Sequence, residues 1–262
     1  MPHTFINGFE MHYNLFGSGA PLILVHGLGL DQSMWDLQVP VLSAAYQVVV
    51  FDLRGHGQSE SPDQPYTIEL FADDLHTLMR FLGLRRTAAL GLSLGGRIVL
   101  SWALKYPEET RALVLADTQS ETPAESRQNF HLLAGVAREE GMGRAAEILF
   151  SLPLFQSLAE ANPSRYRQEK ERLSRSSPVG FARSCLAIAQ MEPLTDRLSA
   201  IATPTLALAG EKDGPYLPFL DLYARRIPQC KKLILPRAGH LSNLENPEDF
   251  NRAVQSFLNG LS

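Results

Sequence analysis

The chain has few cysteines, no long apolar run and no excess of basic residues. Its two cysteines, Cys185 and Cys230, are too few for a disulfide framework, and no histidine–cysteine cluster has metal-site spacing, so we expect a reduced, cytoplasmic protein without a bound metal. No stretch reaches the roughly 18 apolar residues that cross a bilayer, and the amino terminus lacks the features of a secretion signal. The net charge of −4 comes without a basic cluster, which disfavours nucleic-acid partners as well as membrane ones.

The chain does contain apolar runs that alternate with amphipathic helices. A short hairpin is predicted over 3–15. Near-continuous apolar runs, typical of parallel strands buried on both faces, follow at 21–27, 46–52, 87–91, 111–117, 203–210 and 231–236. The spacing of apolar residues predicts a helix over 67–82 that begins at Thr67, and a second helix over 93–106. This alternation predicts an α/β protein with a mostly parallel sheet and helices on both faces.

The alternation stops over 120–198, where no convincing strand is found. Two helix starts are predicted there, with Thr122 and Ser177 as N-caps and a proline directly after each. We expect this segment to form a helical lid above the carboxyl edge of the sheet, inserted into a core formed by 1–119 and 199–262. The apolar residues from which the lid could build walls around a substrate are Leu132, Leu133, Ile148, Leu149, Phe150 and Phe155.

A candidate nucleophile lies between an apolar strand and a helix. The stretch GLSLG (91–95) fits the pattern G-x-S-x-G, in which a sharp strand-to-helix turn exposes the serine hydroxyl, here that of Ser93. A serine needs a base to accept its proton. Of the seven histidines, His240 has the best position, because it follows the last apolar strand in a loop that contains Gly239.

The acid that orients the histidine has two candidates. Asp213 follows the strand at 203–210, and Asp117 ends the preceding strand; we favour Asp213 and keep Asp117 as the alternative. An acyl-transfer enzyme also needs donors for the developing oxyanion. We expect these to be the backbone amides of Leu94 and Leu28, with Gly27 as the alternative to Leu28.

Five spaced motifs carry a family resemblance. They are HGLGLDQSMWDLQ (26–38), DLRGHGQS (52–59), GLSLGG (91–96), AGEKD (209–213) and AGHLSNLENPEDF (238–250). Together they resemble the α/β-hydrolase superfamily, and within it the small-lid carboxylesterases and 3-oxoadipate enol-lactonases. The resemblance implies an α/β-hydrolase fold with a mostly parallel eight-stranded sheet flanked by helices and a helical lid. It also implies a catalytic triad of Ser93, Asp213 and His240 that requires no cofactor.

The expected function is hydrolysis of a small-molecule carboxylic ester or lactone through an acyl-enzyme intermediate. Alternatives on the same fold are carbon–carbon bond hydrolases of ring-cleavage products, cofactor-free haloperoxidases or perhydrolases, and ligand receptors. Leu92 and Leu28 depart from the pattern of the carbon–carbon bond hydrolases, and the absence of tryptophan from the lid departs from that of the enol-lactonases.

Two further sets of residues are candidates for substrate contact. Trp35 lies nine residues after His26 and is predicted to bind substrate near the mouth of the site, with a core position as the alternative. An arginine of the lid could pair with a substrate carboxylate. The arginines considered for this role are Arg127, Arg138 and Arg183.

Overall fold

The computed structural model describes residues 2–261 and is built around an eight-stranded sheet. Its strands are β1 (His3–Ile6), β2 (Phe9–Phe16), β3 (Ala20–Val25), β4 (Tyr46–Phe51), β5 (Thr87–Leu92), β6 (Thr110–Ala116), β7 (Thr205–Gly210) and β8 (Cys230–Leu235). Their order across the sheet is β1-β2-β4-β3-β5-β6-β7-β8. Strand β2 is antiparallel to β1 and β4, and the remaining neighbours are parallel. The predicted eight-stranded, mostly parallel sheet is confirmed.

Helices flank this sheet. The α-helices of the described chain are α1 (Val39–Leu42), α2 (Ile68–Phe81), α3 (Leu94–Lys105), α4 (Ala124–Glu139), α5 (Met142–Ser151), α6 (Pro153–Ala161), α7 (Pro163–Ser174), α8 (Pro178–Ala189), α9 (Leu217–Arg226), α10 (Ser242–Glu245) and α11 (Pro247–Asn259). Short 3-10 turns lie at Gln32–Trp35, Pro107–Glu109 and Thr195–Ala200.

The apolar runs arise because both faces of the sheet are covered. In β3, Leu22 and Leu24 belong to the apolar cluster beneath α1, α11 and the helices α4–α8. Ile23 and Val25 alternate with them and belong to the cluster beneath α2, α3 and α9. Successive side chains of a strand point to opposite faces, so a strand covered on both sides needs apolar residues at every position.

Capping side chains set the start of several helices, among them α2, α8 and α11. Thr67, Ser177 and Asn246 each accept a hydrogen bond from the backbone amide three residues further on, at 3.0, 3.1 and 3.3 Å. Each thereby satisfies one amide that the first turn leaves without a partner. The predicted starts of α2 and α8 are confirmed.

The predicted N-cap at Thr122 is wrong. Helix α4 begins one residue later than that cap would allow, after Pro123, which makes no side-chain cap. The buried Thr122 hydroxyl instead donates to the carbonyl of Ile188 at 2.7 Å and accepts from Arg97 at 2.8 Å. The Thr122 hydroxyl therefore forms tertiary hydrogen bonds in place of the helix cap that the local sequence pattern predicts.

Helices α4–α8 lie between β6 and β7 in the chain and cover the carboxyl ends of the central strands. Of the two cysteines, Cys185 is buried in α8 and Cys230 is half-buried at the start of β8, and both carry free thiols. Among residues 2–261, no helix combines the length and the apolar character needed to cross a bilayer.

Candidate active site

Ser93 lies in a strained turn between β5 and α3. Its backbone has φ +56° and ψ −114°, a conformation that residues with a side chain rarely adopt. Two hydrogen bonds fix the backbone of Ser93 in this conformation. Its amide donates to the carbonyl of Ala116 at 3.0 Å, and its carbonyl accepts from the Thr118 hydroxyl at 2.7 Å. This geometry lifts the hydroxyl from the sheet edge at the beginning of a helix, as the sequence pattern predicts.

The two glycines of the motif permit close backbone contacts. A Cβ on Gly95 would lie 2.0 Å from the carbonyl oxygen of Val25, and one on Gly91 would lie 2.2 Å from the carbonyl oxygen of Gly95. Both distances are far shorter than any van der Waals contact. The strand, the turn and the helix can therefore approach one another only with glycine at these positions.

Three predicted residues meet at the carboxyl edge of the sheet. His240 Nε2 lies 3.0 Å from Ser93 Oγ, and His240 Nδ1 lies 3.0 Å from Asp213 Oδ2. Both His240 and Asp213 are buried. Because an ionised carboxylate can only accept, Nδ1–H donates to Asp213, which leaves the lone pair of Nε2 free to accept the Ser93 hydroxyl proton.

The alternative acid, Asp117, does not face the histidine. Its carboxyl group is completely buried and accepts the Gly210 amide at 2.9 Å and the Ser242 hydroxyl. Burial, and secondarily the nearby carboxylate of Asp213, raise the pKa of Asp117 well above its usual range. Asp117 thus joins the loops that carry Asp213 and Ser242 beneath the site, without contacting the imidazole.

The loop around His240 is held by Glu245. Its two carboxylate oxygens accept the amides of Gly239 at 2.6 Å and Leu241 at 3.1 Å, the residues on either side of the histidine. The acid loop is tied to the same segment, since the Lys212 amide donates to the Ala238 carbonyl at 2.9 Å. These bonds fix the direction from which the imidazole approaches Ser93.

The predicted oxyanion donors lie beside the serine. Leu94 is the first residue of α3, and Leu28 lies in the loop after β3; both line the same cavity as Ser93. Within residues 2–261, neither amide donates a hydrogen bond to a protein acceptor. Gly27 also borders the cavity, so the geometry keeps it as the alternative to Leu28.

The cavity above Ser93 is small and mostly apolar. Its volume is about 40 Å³, enough for a few water molecules but not for an ester of ordinary size. The residues of α4–α8 that line it are Phe130, Leu149, Leu154, Phe155 and Ile188. A larger open cleft of about 650 Å³, beside Asp31 and Arg172, contains none of the three hydrogen-bonded residues.

Of the expected lid walls, only part reaches the cavity. Leu149 and Phe155 line it, whereas Leu132 is 59% exposed on the outer surface. Leu133 and Phe150 pack into the apolar core instead. Helices α4–α8 must bury one face against the core, so an apolar residue in this segment does not by itself indicate substrate contact.

The structure does not bring Trp35 to the site. This side chain is fully buried and packs against Phe250 of α11, with ring centroids 6.3 Å apart. Trp35 does not line the cavity above Ser93, and the alternative of a core tryptophan describes its position. The 3-10 turn that carries it belongs to the same apolar cluster as Phe250.

The three arginines considered for a substrate carboxylate also lie away from the cavity. Arg138 and Arg183 both pair with Asp63 on the surface, at 3.0 and 2.9 Å. Arg127 donates to the backbone carbonyl of Thr122 at 3.0 Å.

Two polar residues that the sequence analysis did not name also line the cavity. Tyr216 packs its ring against His240, with centroids 4.4 Å apart, and burial raises the pKa of its hydroxyl to about 12. Arg97 enters from α3. Their distance in sequence from the candidate triad could have indicated them. Tyr216 lies three residues after Asp213, and Arg97 lies four residues after Ser93, one turn into the helix that follows it.

Comparisons with known proteins show the family to which this fold belongs. The sequence pattern of the alpha/beta hydrolase fold matches residues 20–247. The chain is 28% identical to 3-oxoadipate enol-lactonase 2 of Acinetobacter baylyi over 252 residues, which cover 95% of this chain and 92% of that one.

Two solved structures are similar over almost the whole chain. A malate-bound thermophilic esterase from Thermogutta terrifontis has a TM-score of 0.91 and 34% identity, covering 99% of this chain and 97% of that one. The enol-lactonase from Burkholderia xenovorans LB400 has a TM-score of 0.91 and 30% identity, covering 98% and 100%. Since the family match runs from the start of β3 to the start of α11, this chain belongs to the α/β-hydrolase family and is a hydrolase.

Proposed function

We propose that this hydrolase cleaves carboxylic ester or lactone bonds through an acyl-enzyme intermediate. The observation that carries the proposal is the hydrogen-bonded row in which His240 lies 3.0 Å from both Ser93 Oγ and Asp213 Oδ2. The names of the similar proteins, which include an esterase and enol-lactonases, support the same class of bond.

The first half of the reaction forms the acyl-enzyme. Ser93 Oγ attacks the substrate's carbonyl carbon while His240 Nε2 takes the hydroxyl proton, and Asp213 stabilises the imidazolium that forms. The amides of Leu28 and Leu94 donate to the oxyanion of the tetrahedral intermediate. When this intermediate collapses, the bond to the alcohol oxygen breaks and His240 returns its proton to the leaving alkoxide.

The second half releases the acid. Water gives a proton to His240 and attacks the acyl carbon, and the Ser93 oxygen leaves with that proton. In a lactone the alcohol and the acyl group belong to one molecule, so the ring-opened hydroxy acid leaves as a single product.

We infer that the segment 120–198 acts as the lid of this site. Its helices supply five of the cavity's apolar walls, and the present cavity of about 40 Å³ is too small for a whole ester. Movement of these helices away from Ser93 would enlarge the space for the substrate, and their closure would hold the acyl group against the apolar walls.

Initial-rate measurements on 4-nitrophenyl butyrate and on a six-membered lactone test the proposal. Ser93→Ala should lower kcat by more than about a thousandfold, because the remaining site retains only oxyanion stabilisation and binding. Ser151→Ala is the matched control, since that serine is exposed on α5. Turnover of neither substrate class by the wild type would reject the proposal and favour the ligand-receptor alternative.

A further inference from the structure

The imidazole of His240 packs against two aromatic rings. The ring of Tyr216 is the nearer, with centroids 4.4 Å apart and planes tilted by 43°, and the ring of Phe155 lies nearly perpendicular at 6.2 Å. Tyr216 belongs to the core, in the turn between β7 and α9, whereas Phe155 belongs to α6. The nearer ring therefore does not depend on the position of helices α4–α8.

Tyr216 is fixed to the segment that carries the candidate acid. Its amide donates to the carbonyl of Asp213 at 2.9 Å, which closes a four-residue turn. The carbonyl of the preceding residue, Pro215, accepts from Gln119 Nε2 at 3.3 Å, so this turn is also tied to the segment after β6. The carboxylate and the nearer ring that contact the imidazole thus belong to one turn of the chain.

The groups that surround the imidazole differ in charge, and Tyr216 contributes none. The titratable groups nearest to it are Asp213 and Tyr216 after β7, Asp117 after β6, Arg97 on α3 and Glu245 on α10. Burial raises the pKa of the Tyr216 hydroxyl to about 12, so this phenol stays neutral near pH 7. Any action of Tyr216 on the imidazole therefore passes through a neutral ring and not through a phenolate charge.

The proposed reaction converts this imidazole into a cation. His240 takes the proton of Ser93 inside a mostly apolar cavity. A cation within about 6 Å of an aromatic centroid is attracted to the ring, and the attraction increases where water is excluded. The ring contact is therefore stronger with the imidazolium than with the neutral imidazole, and an interaction that strengthens toward the transition state accelerates the reaction.

We propose that Tyr216 is a positioning residue whose ring holds the imidazole of His240 toward Ser93 and stabilises its protonated form. This inference rests on the proposed function, in which His240 is the base. Because the role belongs to the ring, phenylalanine should replace this tyrosine. Leucine should not, since it keeps the surroundings apolar but has no aromatic face.

The pH dependence of kcat/KM for 4-nitrophenyl butyrate tests the proposal. In Tyr216→Leu the midpoint of the acid limb should fall by about half a pH unit, because the protonated imidazole loses a favourable contact while its surroundings stay apolar. The kcat of this variant should fall by about threefold. Tyr216→Phe should keep the midpoint and the kcat of the wild type.

Phe219→Leu is the matched control. Phe219 is a half-buried aromatic residue of α9 that packs against Tyr223, with centroids 6.3 Å apart, and it does not line the cavity. Its replacement should leave the midpoint unchanged. A wild-type midpoint in Tyr216→Leu, with a lowered melting temperature, would overturn the proposal and make Tyr216 a packing residue. Equal shifts in Tyr216→Phe and Tyr216→Leu would also overturn it, because the effect would then belong to the hydroxyl.

A direct titration of His240 separates this inference from the proposed function. NMR spectra of the histidine ring nitrogens follow protonation without any substrate, and the signal of His240 is identified by its absence from His240→Asn. We expect the midpoint to be about half a pH unit lower in Tyr216→Leu than in the wild type. That shift in a protein without ester turnover would contradict the proposed function alone. An equal or higher midpoint in Tyr216→Leu would contradict the role of the ring.

Discussion

Two buried aspartates follow the neighbouring strands β6 and β7 at the candidate active site. Only one of them contacts the histidine. Asp213 accepts the Nδ1–H of His240, whereas Asp117 accepts the Gly210 amide and the Ser242 hydroxyl. A carboxylate that holds the imidazole in one tautomer acts directly on the proton transfer. A carboxyl group that joins two loops acts only on their positions.

Replacing each aspartate by asparagine should separate these roles. Asp213→Asn should lower kcat by about ten-thousandfold, because the amide favours the histidine tautomer that cannot accept the serine proton. Asp117→Asn should lower kcat by less than about tenfold, since it leaves the imidazole's partner in place. Steady-state kinetics on one ester measure both, and the reverse ranking would make Asp117 the acid.

The pH dependence of stability tests the protonation state of Asp117. The free energy of unfolding is measured for the wild type and for Asp117→Asn over a range of pH. A raised pKa means that folded Asp117 keeps its proton at pH values where the unfolded chain has lost it, from about 4 upward. The free energy of unfolding of the wild type should therefore fall relative to that of the variant as pH rises toward neutrality. If the free energy of unfolding of the wild type instead rises relative to that of the variant, the buried carboxylate is ionised and is stabilised by its two donors.

At the scale of the elements, the lid helices supply side chains with different roles. Leu149 on α5 lines the cavity above Ser93, whereas Leu132 on α4 is exposed to solvent. Both belong to the apolar set that local pattern offers as substrate walls. Substrate selectivity should therefore depend on the first leucine and not on the second.

Leu149→Ala should enlarge the acyl-binding space. The ratio of kcat/KM for 4-nitrophenyl octanoate to that for the acetate should rise by about tenfold, in line with the worth of one or two methylene groups in an apolar pocket. Leu132→Ala is the control and should leave this ratio unchanged. An unchanged ratio in a folded Leu149→Ala variant would place acyl selectivity in the loop around Leu28.

Helices and strands were predictable where one local cause determines them. The runs at 21–27 and 46–52 are continuous because both faces of those strands are covered, and Ser177 caps α8 with its own hydroxyl. Thr122 could not be predicted in this way, because its hydroxyl bonds to α8 and to Arg97, distant partners in the chain. Such tertiary hydrogen bonds can outweigh the local preference of a threonine for a helix N-cap.

The residues of the candidate site could be predicted only where a sequence motif marks them. Ser93, Asp213 and His240 carry motif signals because each follows a strand whose carboxyl end lies at one edge of the sheet. Trp35 carries no such signal, and Arg97 has only its spacing of four residues from Ser93. The surroundings of both side chains depend on how the turn after β3 and helices α4–α8 pack against distant parts of the chain. Sequence spacing cannot distinguish a buried tryptophan of the core from one that lines a pocket.

At the scale of the whole molecule, the parallel sheet brings together residues that are distant in the chain. Ser93 and His240 are separated by 147 positions, yet their side chains lie 3.0 Å apart. Strands β5, β6, β7 and β8 are successive neighbours in the sheet, so the loops after them meet at one edge. The covered sheet supports a strained serine turn that an isolated segment would not maintain.

In the proposed reaction, Ser93 Oγ becomes the covalently modified atom. Treating the enzyme with phenylmethanesulfonyl fluoride, followed by intact-protein and peptide mass spectrometry, tests this most directly, because that reagent sulfonylates activated serines. We expect one label per chain, on Ser93, with ester hydrolysis lost in proportion to labelling and no label in Ser93→Ala. Full hydrolytic activity in completely labelled enzyme, or activity lost through a label on another residue, would contradict it.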